Sequence, residues 1–290
     1  RSSDLYPQPA APQRHPGAPM HPHFPKFFNT AGPCRPEEHY MLPPEQRVLD
    51  IRGLIDSAAY FVIHAPRQSG KTTLLRNLSR KLNAEGRYVS AALSLEAATG
   101  PDRLVELPIL VREFLARLED QVAPELSPTQ EDLDYALENP ALAVSRFLSA
   151  WAKRCPLPLV IFFDEVDALQ GEVLISLLRQ LRDGFCSRPA PFPYSVALVG
   201  VRDVRDYRGQ VREEGSSIGS ASPFNIKSES LRLSNFDADE VRALLAQHTR
   251  RRHRNLRTDP GSALALQRAR PSALHPSRAP GPRPKPERHP

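Results

Sequence analysis

The stretch from Tyr60 to Leu75, YFVIHAPRQSGKTTLL, constrains the fold of this chain more than any other. Tyr60, Phe61, Val62, Ile63 and His64 have the length and the aromatic or β-branched content of a buried strand, and a helical pattern opens at Lys71. Between them the residues follow the spacing of a phosphate-binding loop: Gly, four free residues, then Gly-Lys-Ser/Thr. Ala65 stands in the first glycine position, followed by Pro66, Arg67, Gln68 and Ser69, then Gly70, Lys71 and Thr72. The departure is tolerable, because close backbone approach to phosphate oxygens needs Gly70 most and Pro66 already fixes the first turn of the loop. Backbone N–H groups of the loop and the positive end of the helix would cradle a β-phosphate. Lys71 would reach β- and γ-phosphate oxygens, and the Thr72 hydroxyl would ligate Mg²⁺. An ordinary strand-to-helix turn that contains Gly-Lys-Thr is the other reading of these residues, and a second motif argues against it.

That motif is LPLVIFFDEVDAL, Leu157 to Leu169. Leu159, Val160, Ile161, Phe162 and Phe163 read as a strand buried on both faces, and two carboxylates follow at its carboxyl end, where open α/β sheets bind ligands. Asp164 can share the Mg²⁺ with Thr72 through water, and Glu165 can orient and deprotonate an attacking water. A solvated acidic turn is the bland alternative for this pair. Asp167 reads as a helix cap or a support for Glu165, with capping preferred.

Composition is uneven, and that limits what net charge can imply. Residues 1–25 hold seven of the 31 prolines and residues 249–290 hold eight. The two tails together hold 13 of the 39 basic residues and three of the 33 acidic ones, which leaves 26 basic against 30 acidic residues in 26–248. The overall charge of +6 therefore belongs to the tails and does not argue for a basic nucleic-acid face on the folded part. Cys34, Cys155 and Cys186 are widely spaced and odd in number, so neither a disulfide framework nor a CxxC metal site is indicated, and a reducing cytoplasm fits. No apolar run approaches the ~18 residues of a membrane span, and the proline-rich start lacks the apolar core of a signal peptide. No membrane partner is expected. The sequence opens on Arg1 rather than Met, and Met20 is a candidate natural start.

Taken in order, residues 1–25 are too rich in proline and too poor in aliphatics to fold. From Lys26 the chain supplies the aromatics Phe27, Phe28 and Tyr40, then a short amphipathic helix around Glu45 to Asp56. Those aromatics can lie near a nucleotide, with core packing the preferred role. After the loop, Leu74, Leu75, Leu78 and Leu82 mark the inner face of a helix that Gly86 ends, and Tyr88 to Leu95 reads as a second strand. This order predicts a βαβ unit with a parallel, right-handed crossover. Pro101 to Lys153 is mostly helical, with a Pro/Asp/Glu-rich connection from Pro124 to Pro140 and a helix over Leu142 to Trp151. A further helix spans Glu172 to Asp183. Tyr194 to Val201 is another buried strand, with Arg202 at its tip as a candidate γ-phosphate sensor or an exposed loop arginine. Asp203, Arg205, Asp206 and Arg208 suggest local ion pairs. Gln210 to Asn225 is a mobile loop by composition. Leu231 to Leu233 suggests a last short strand, and Asp237 caps a helix over Ala238 to Gln247.

Together KFFNTAGPC, HAPRQSGKTTLL, VIFFDEVDAL, LVGVRDVRDYR and SPFNIKSESLRL resemble bacterial AAA-like ATPases, P-loop NTPases with an extra strand between the loop strand and the Asp-Glu strand. The resemblance spans roughly residues 26–248, and the two nucleotide motifs (Walker A and Walker B) carry most of it. It implies an α/β fold, a three-layer α/β/α domain around a parallel five-stranded sheet of order 5-1-4-3-2. It also implies ATP and Mg²⁺ as ligands, with Ala65, Pro66, Arg67, Gln68, Ser69, Gly70, Lys71, Thr72 and Thr73 around the nucleotide. Thr72 and Asp164 would take the metal, and Lys71 and Glu165 the catalytic roles; Arg202, from its place at the strand tip and not from the resemblance, is the further catalytic candidate.

Members of this kind usually continue into a helical lid. Here TRRRHRNLRTDPG and the residues after it show abundant Arg, Pro, Ala and His with almost no aliphatic periodicity, the texture of out-of-frame translation of GC-rich DNA. The expectation is a disordered tail over 249–290, produced by a frameshift or truncation near His248 to Thr249. The competing reading is a functional basic tail that binds nucleic acid or an acidic partner. For the whole chain the leading function is an ATPase acting as a motor or switch on an unidentified protein or nucleic-acid partner, with oligomerisation left open. A nucleotide-gated binding module with little hydrolysis is the second function. A small-molecule kinase is the third, and the Asp-Glu pair argues against it.

Overall fold

The computed structural model describes residues 26–30, 32–43, 47, 48, 50–96, 107–169, 171–203 and 229–258, with backbone alone for 251–258. The expected N-terminal tail, the Gln210 to Asn225 loop, the ion pairs of Arg205, Asp206 and Arg208, and residues 259–290 of the expected C-terminal tail lie outside those residues; residues 249–258 of that tail, expected to be disordered, are helical instead.

Five strands form one parallel sheet: β1 (Tyr60–His64), β2 (Val89–Ser94), β3 (Leu159–Asp164), β4 (Ser195–Gly200) and β5 (Glu229–Arg232), in the order β2-β3-β4-β1-β5. This is the anticipated 5-1-4-3-2 order counted from the other edge. The helices are α1 (Ile51–Asp56), α2 (Lys71–Glu85), α3 (Leu107–Leu118), α4 (Gln130–Leu137), α5 (Ala143–Arg154), α6 (Gly171–Cys186) and α7 (Ala238–Thr258). Among the described residues no helix is long and apolar enough to cross a membrane.

The central strands are apolar along most of their length because both faces are covered. Alternate residues feed two cores. Val62, Ile161, Phe163 and Leu198 pack with α3, α5 and α6, while Ile63, Val160, Phe162 and Val199 pack with α1 and α2. Helix α2 turns Leu74, Leu75, Leu78 and Leu82 to the sheet and ends on Gly86, whose φ of 67° is the left-handed stop its position requires.

Three elements differ from the sequence expectation. The connection from Pro124 to Pro140 contains α4, and its start was written in the sequence: Thr129 accepts from Asp132 N while the Asp132 carboxylate accepts from Thr129 N, a capping box. Helix α1 occupies only Ile51–Asp56, after Asp50 in a left-handed conformation. Helix α7 runs on to Thr258 rather than stopping at Gln247. Its extension is poor in apolar residues, so periodicity gives no sign of it, but arginine is a strong helix former and no Gly or Pro intervenes before Pro260.

The register sets what meets at the carboxyl edge. Ser94 of β2 lies opposite Asp164 of β3, and His64 of β1 lies opposite both Gly200 of β4 and Arg232 of β5. Ala65 N still donates to Gly200 O at 3.1 Å, so the residue after β1 remains tied to β4. Gly200 lets the turn after β3 press against β4: an added Cβ would lie 2.8 Å from Val166 Cγ1 and 3.0 Å from Asp167 Oδ1. Gly200→Ala should therefore cost about 1–3 kcal/mol, read as a lower urea midpoint at unchanged slope; an unaltered midpoint would contradict the close approach.

Candidate nucleotide site

The loop from Ala65 to Thr72 shows why its first residue need not be glycine. Ala65 is buried in the core shared with α1 and α2, and its φ is not positive. The left-handed positions are Gln68, at φ 60°, and Gly70, at φ 94°. Gly70 precedes the first residue of α2, so the conformational freedom of glycine is needed there and not at position 65. Pro66, Arg67 and Gln68 form an exposed crest, while Ser69 is buried.

Lys71 arches back over this crest. Its Nζ donates to Ala65 O and Pro66 O, both at 2.8 Å. Burial holds the ammonium below the usual lysine pKa, opposed by the charges of Asp164, then Asp167 and Glu165. Thr72 Oγ1 donates to Asp164 Oδ2 at 2.6 Å, joining the loop directly to the tip of β3. Asp164 is 4% exposed, and its other oxygen accepts from Glu165 N at 3.0 Å. Desolvation pushes the Asp164 pKa up, with the Thr72 hydrogen bond pulling it down and the Glu165 charge adding to the rise.

Glu165 sits in a left-handed conformation, φ 61° and ψ 43°. Its Oε2 accepts from Ser94 Oγ at 2.5 Å. The Glu96 carboxyl lies beside it and is pushed up in pKa by a hydrogen bond to Glu165 and by that residue's charge. Ser94 and Glu96 were not singled out from the sequence; the only available signal was their position at the end of β2, beside the Asp-Glu tip.

Asp167 plays a different part from the cap expected of it. Its Oδ2 accepts from Val201 N at 2.6 Å, tying the turn after β3 to the end of β4. Arg202 follows with an exposed side chain, and among the described residues no hydrogen bond or ion pair joins it to Lys71, Asp164 or Glu165. Asp203 accepts from Ser230 Oγ of β5. The Thr73 hydroxyl oxygen accepts from Cys34 N at 3.0 Å, which holds that side chain against the N-terminal segment. Through that bond the segment around Cys34 straps the start of α2. Farther along, Gln247 Nε2 of α7 donates to Met41 O at 2.9 Å, and Phe28, Tyr40 and His248 form a ring cluster with centroids 5.0 to 5.8 Å apart. Of the three N-terminal aromatics only Tyr40 is buried; Phe27 and Phe28 are exposed.

A hydroxyl paired with a buried carboxylate is a donor set suited to a small hard cation. Of the buried side-chain oxygens that lack a partner among the described residues, two belong to this site, Ser69 Oγ in the loop and Asp167 Oδ1 in the turn after β3. Unpaired buried acceptors and donors are costly, and both lie in the segments that the two motifs contribute.

Residues 48–199 match the family model described as AAA ATPase domain. No curated protein matches the sequence. Among solved structures, the Walker-type ATPase of Pyrococcus abyssi superposes with a TM-score of 0.52 at 14% identity, covering 78% of this chain and 62% of that one. Cdc6p from Pyrobaculum aerophilum gives 0.40 at 15% identity, covering 69% and 47%. Drosophila ORC bound to poly(dA/dT) DNA and Cdc6 gives 0.43 at 11%, covering 70% and 30%. At such identities the first likeness is one of fold, and the other two superpose too loosely to add to it. This chain spans less than two thirds of the length of the Pyrococcus ATPase.

The raised pKa of Asp164 has a stability consequence with a definite sign. A carboxyl whose folded pKa lies above its unfolded value binds its proton more tightly when folded, so its contribution to stability falls as pH rises through that interval. Asp164→Asn can still accept from Glu165 N through its amide oxygen and donate to Thr72 Oγ1 through its amide nitrogen, and it removes the desolvated charge. Its melting temperature should exceed the parent's by a few degrees at pH 7, at ~2–4 °C per kcal/mol, and the gap should narrow toward acid pH. A parent more stable than the variant at neutral pH would contradict this.

Proposed function

The chain belongs to the AAA ATPase domain family, and on that premise we propose that it binds ATP with Mg²⁺ between the 65–73 turn and the acidic tip at 164–165, and hydrolyses it. The observation that supports this most is the 2.6 Å contact of Thr72 with Asp164, because these two side chains would share the cation. Among the described residues no cluster of three or more His, Cys, Asp or Glu is arranged to hold a metal alone. A cation at Thr72 and Asp164 would therefore complete its shell with phosphate oxygens and water, as Mg²⁺ commonly does. Bound there, it supplies neutralisation of the charge on the β- and γ-phosphate oxygens.

The residues around it have assignable tasks in this reading. Lys71 exchanges its two carbonyl partners for β- and γ-phosphate oxygens, while backbone N–H groups from Arg67 to Thr73 face the anion. Glu165 accepts a proton from the attacking water as that oxygen bonds to the γ-phosphorus, and the bond from phosphorus to the β–γ bridging oxygen breaks to release ADP. Arg202 is kept as a sensor candidate that must move inward to act. The energy released would drive a motor or switch on an unidentified partner.

One observation favours a slower version of this function, a nucleotide-gated binding module with little hydrolysis. Glu165 is engaged by Ser94 and crowded by Glu96, so its carboxylate must leave that arrangement before it can activate water. A nucleic-acid partner for the basic segment of α7, Arg250 through Arg257, is the remaining alternative.

Affinity and single-turnover hydrolysis measured together test the assignment. Glu165→Gln should bind ATP within about threefold of the parent and lose about 10²–10⁴-fold in turnover, with Lys71→Ala as the non-binding blank. Turnover unchanged in Glu165→Gln would remove the base assignment, and negligible turnover in the parent with intact binding would favour the gated module.

A further inference from the structure

Arg47 connects the loop to a helix that no motif includes. Its side chain is 6% exposed. Nη1 donates to Ser69 O at 3.1 Å, Nη2 donates to Ser234 O, Nε lies 3.4 Å from Glu240 Oε1, and the guanidinium stacks 3.9 Å from the centre of the Phe236 ring. Ser69 belongs to the loop. Ser234, Phe236 and Glu240 all belong to the connection after β5 and the first turn of α7. Glu240 also closes the reciprocal cap of that helix, accepting from Asp237 N at 2.9 Å while its own N donates to Asp237 Oδ1 at 2.8 Å.

Peptide planarity gives the contact with Ser69 a direction. In a trans peptide unit the carbonyl and the following N–H point opposite ways. With Ser69 O held on the Arg47 side, the Gly70 N–H is turned away from Arg47, and a phosphate oxygen in the loop would accept from it there. An anion that fixes the Gly70 N–H in turn fixes Ser69 O against Arg47.

The far end of the contact is weakly anchored. No described side chain of α7 from Ala238 to Arg250 is buried, and Phe236, Val241 and Leu245 are 45%, 41% and 52% exposed. With so little apolar burial, the seating of α7 depends on its polar links, and an element held this way lies at the low end of local stability. We propose that Arg47 is a positioning residue that couples occupancy of the loop to the seating of α7. The inference rests on the nucleotide reading above. By linkage the effect is reciprocal: a seated α7 favours nucleotide, and nucleotide favours a seated α7. Lysine at position 47 would keep the charge but cannot span Ser69 O, Ser234 O and Glu240 at once.

The test is hydrogen exchange of α7 amides, 238–248, in the full chain with and without Mg²⁺ and a non-hydrolysable ATP analogue, alongside the analogue's affinity. In the parent the analogue should slow α7 exchange by about tenfold. In Arg47→Lys the analogue should bind about tenfold more weakly and leave α7 exchange unchanged. Glu240→Gln keeps the helix cap and never touches the loop, so it serves where Arg47→Lys fails to fold; it too should bind the analogue without slowing α7. A structural role alone would raise α7 exchange in the variants yet preserve its response to the analogue, and that result overturns the inference. Analogue uptake by the parent with α7 unmoved also overturns it, leaving the nucleotide reading intact. No uptake by the parent overturns both.

Discussion

The hydrogen bond from Thr72 to Asp164 is the contact on which the functional account depends, and it exists because of strand order. The loop strand β1 and the Asp-Glu strand β3 are not neighbours; β4 lies between them. Parallel pairing puts all the carboxyl ends at one edge, and the first turn of α2 reaches across the width of β4 to place Thr72 2.6 Å from Asp164. Gly200 at the end of β4 and the bond from Val201 N to Asp167 keep the intervening ground low and fixed. Had the two motifs sat on an antiparallel pair, their tips would point to opposite edges and no shared ligand would be conceivable.

The same edge carries electrostatic costs that a folded core alone would not select. Asp164 is desolvated, Lys71 is pinned to two carbonyls with its charge disfavoured by burial, and Ser69 Oγ and Asp167 Oδ1 are buried without partners among the described residues. Such groups destabilise unless something pairs with them. On the proposed reading a triphosphate and its cation satisfy Lys71 and Asp164, so the free energy withheld from folding becomes free energy of binding. Membership of the AAA ATPase domain family agrees with that reading without fixing which partner the chemistry serves.

Much of the fold was legible because its signals are local. Buried strands announced themselves as apolar runs, α2 by leucines at helical spacing and a terminal glycine, and the loop by spacing alone. Helix α4 is legible too, through Thr129 and Asp132, although the prolines on either side of it carry the stronger local signal of a connection. What escaped depends on chain crossings that no local pattern encodes. Ser94 reaches Glu165 only because β2 and β3 pair in one register, and Cys34 N meets Thr73 across 39 positions. Arg47 spans from Ser69 to Ser234, 187 positions from its own place in the chain. The far half of α7 escapes for another reason: helix propensity without apolar periodicity carries the backbone on to Thr258.

The central claim is that one ligand, a nucleotide with its metal, occupies the meeting point of loop and acidic tip. Calorimetric titration of the chain with ATP, in Mg²⁺ and again in excess chelator, tests it most directly. The account predicts uptake of one nucleotide per chain in Mg²⁺ and an affinity at least tenfold weaker without the metal, because Thr72 and Asp164 would then face the phosphates with no cation between them. Absence of binding heat at any accessible concentration, or an affinity indifferent to the metal, would contradict it.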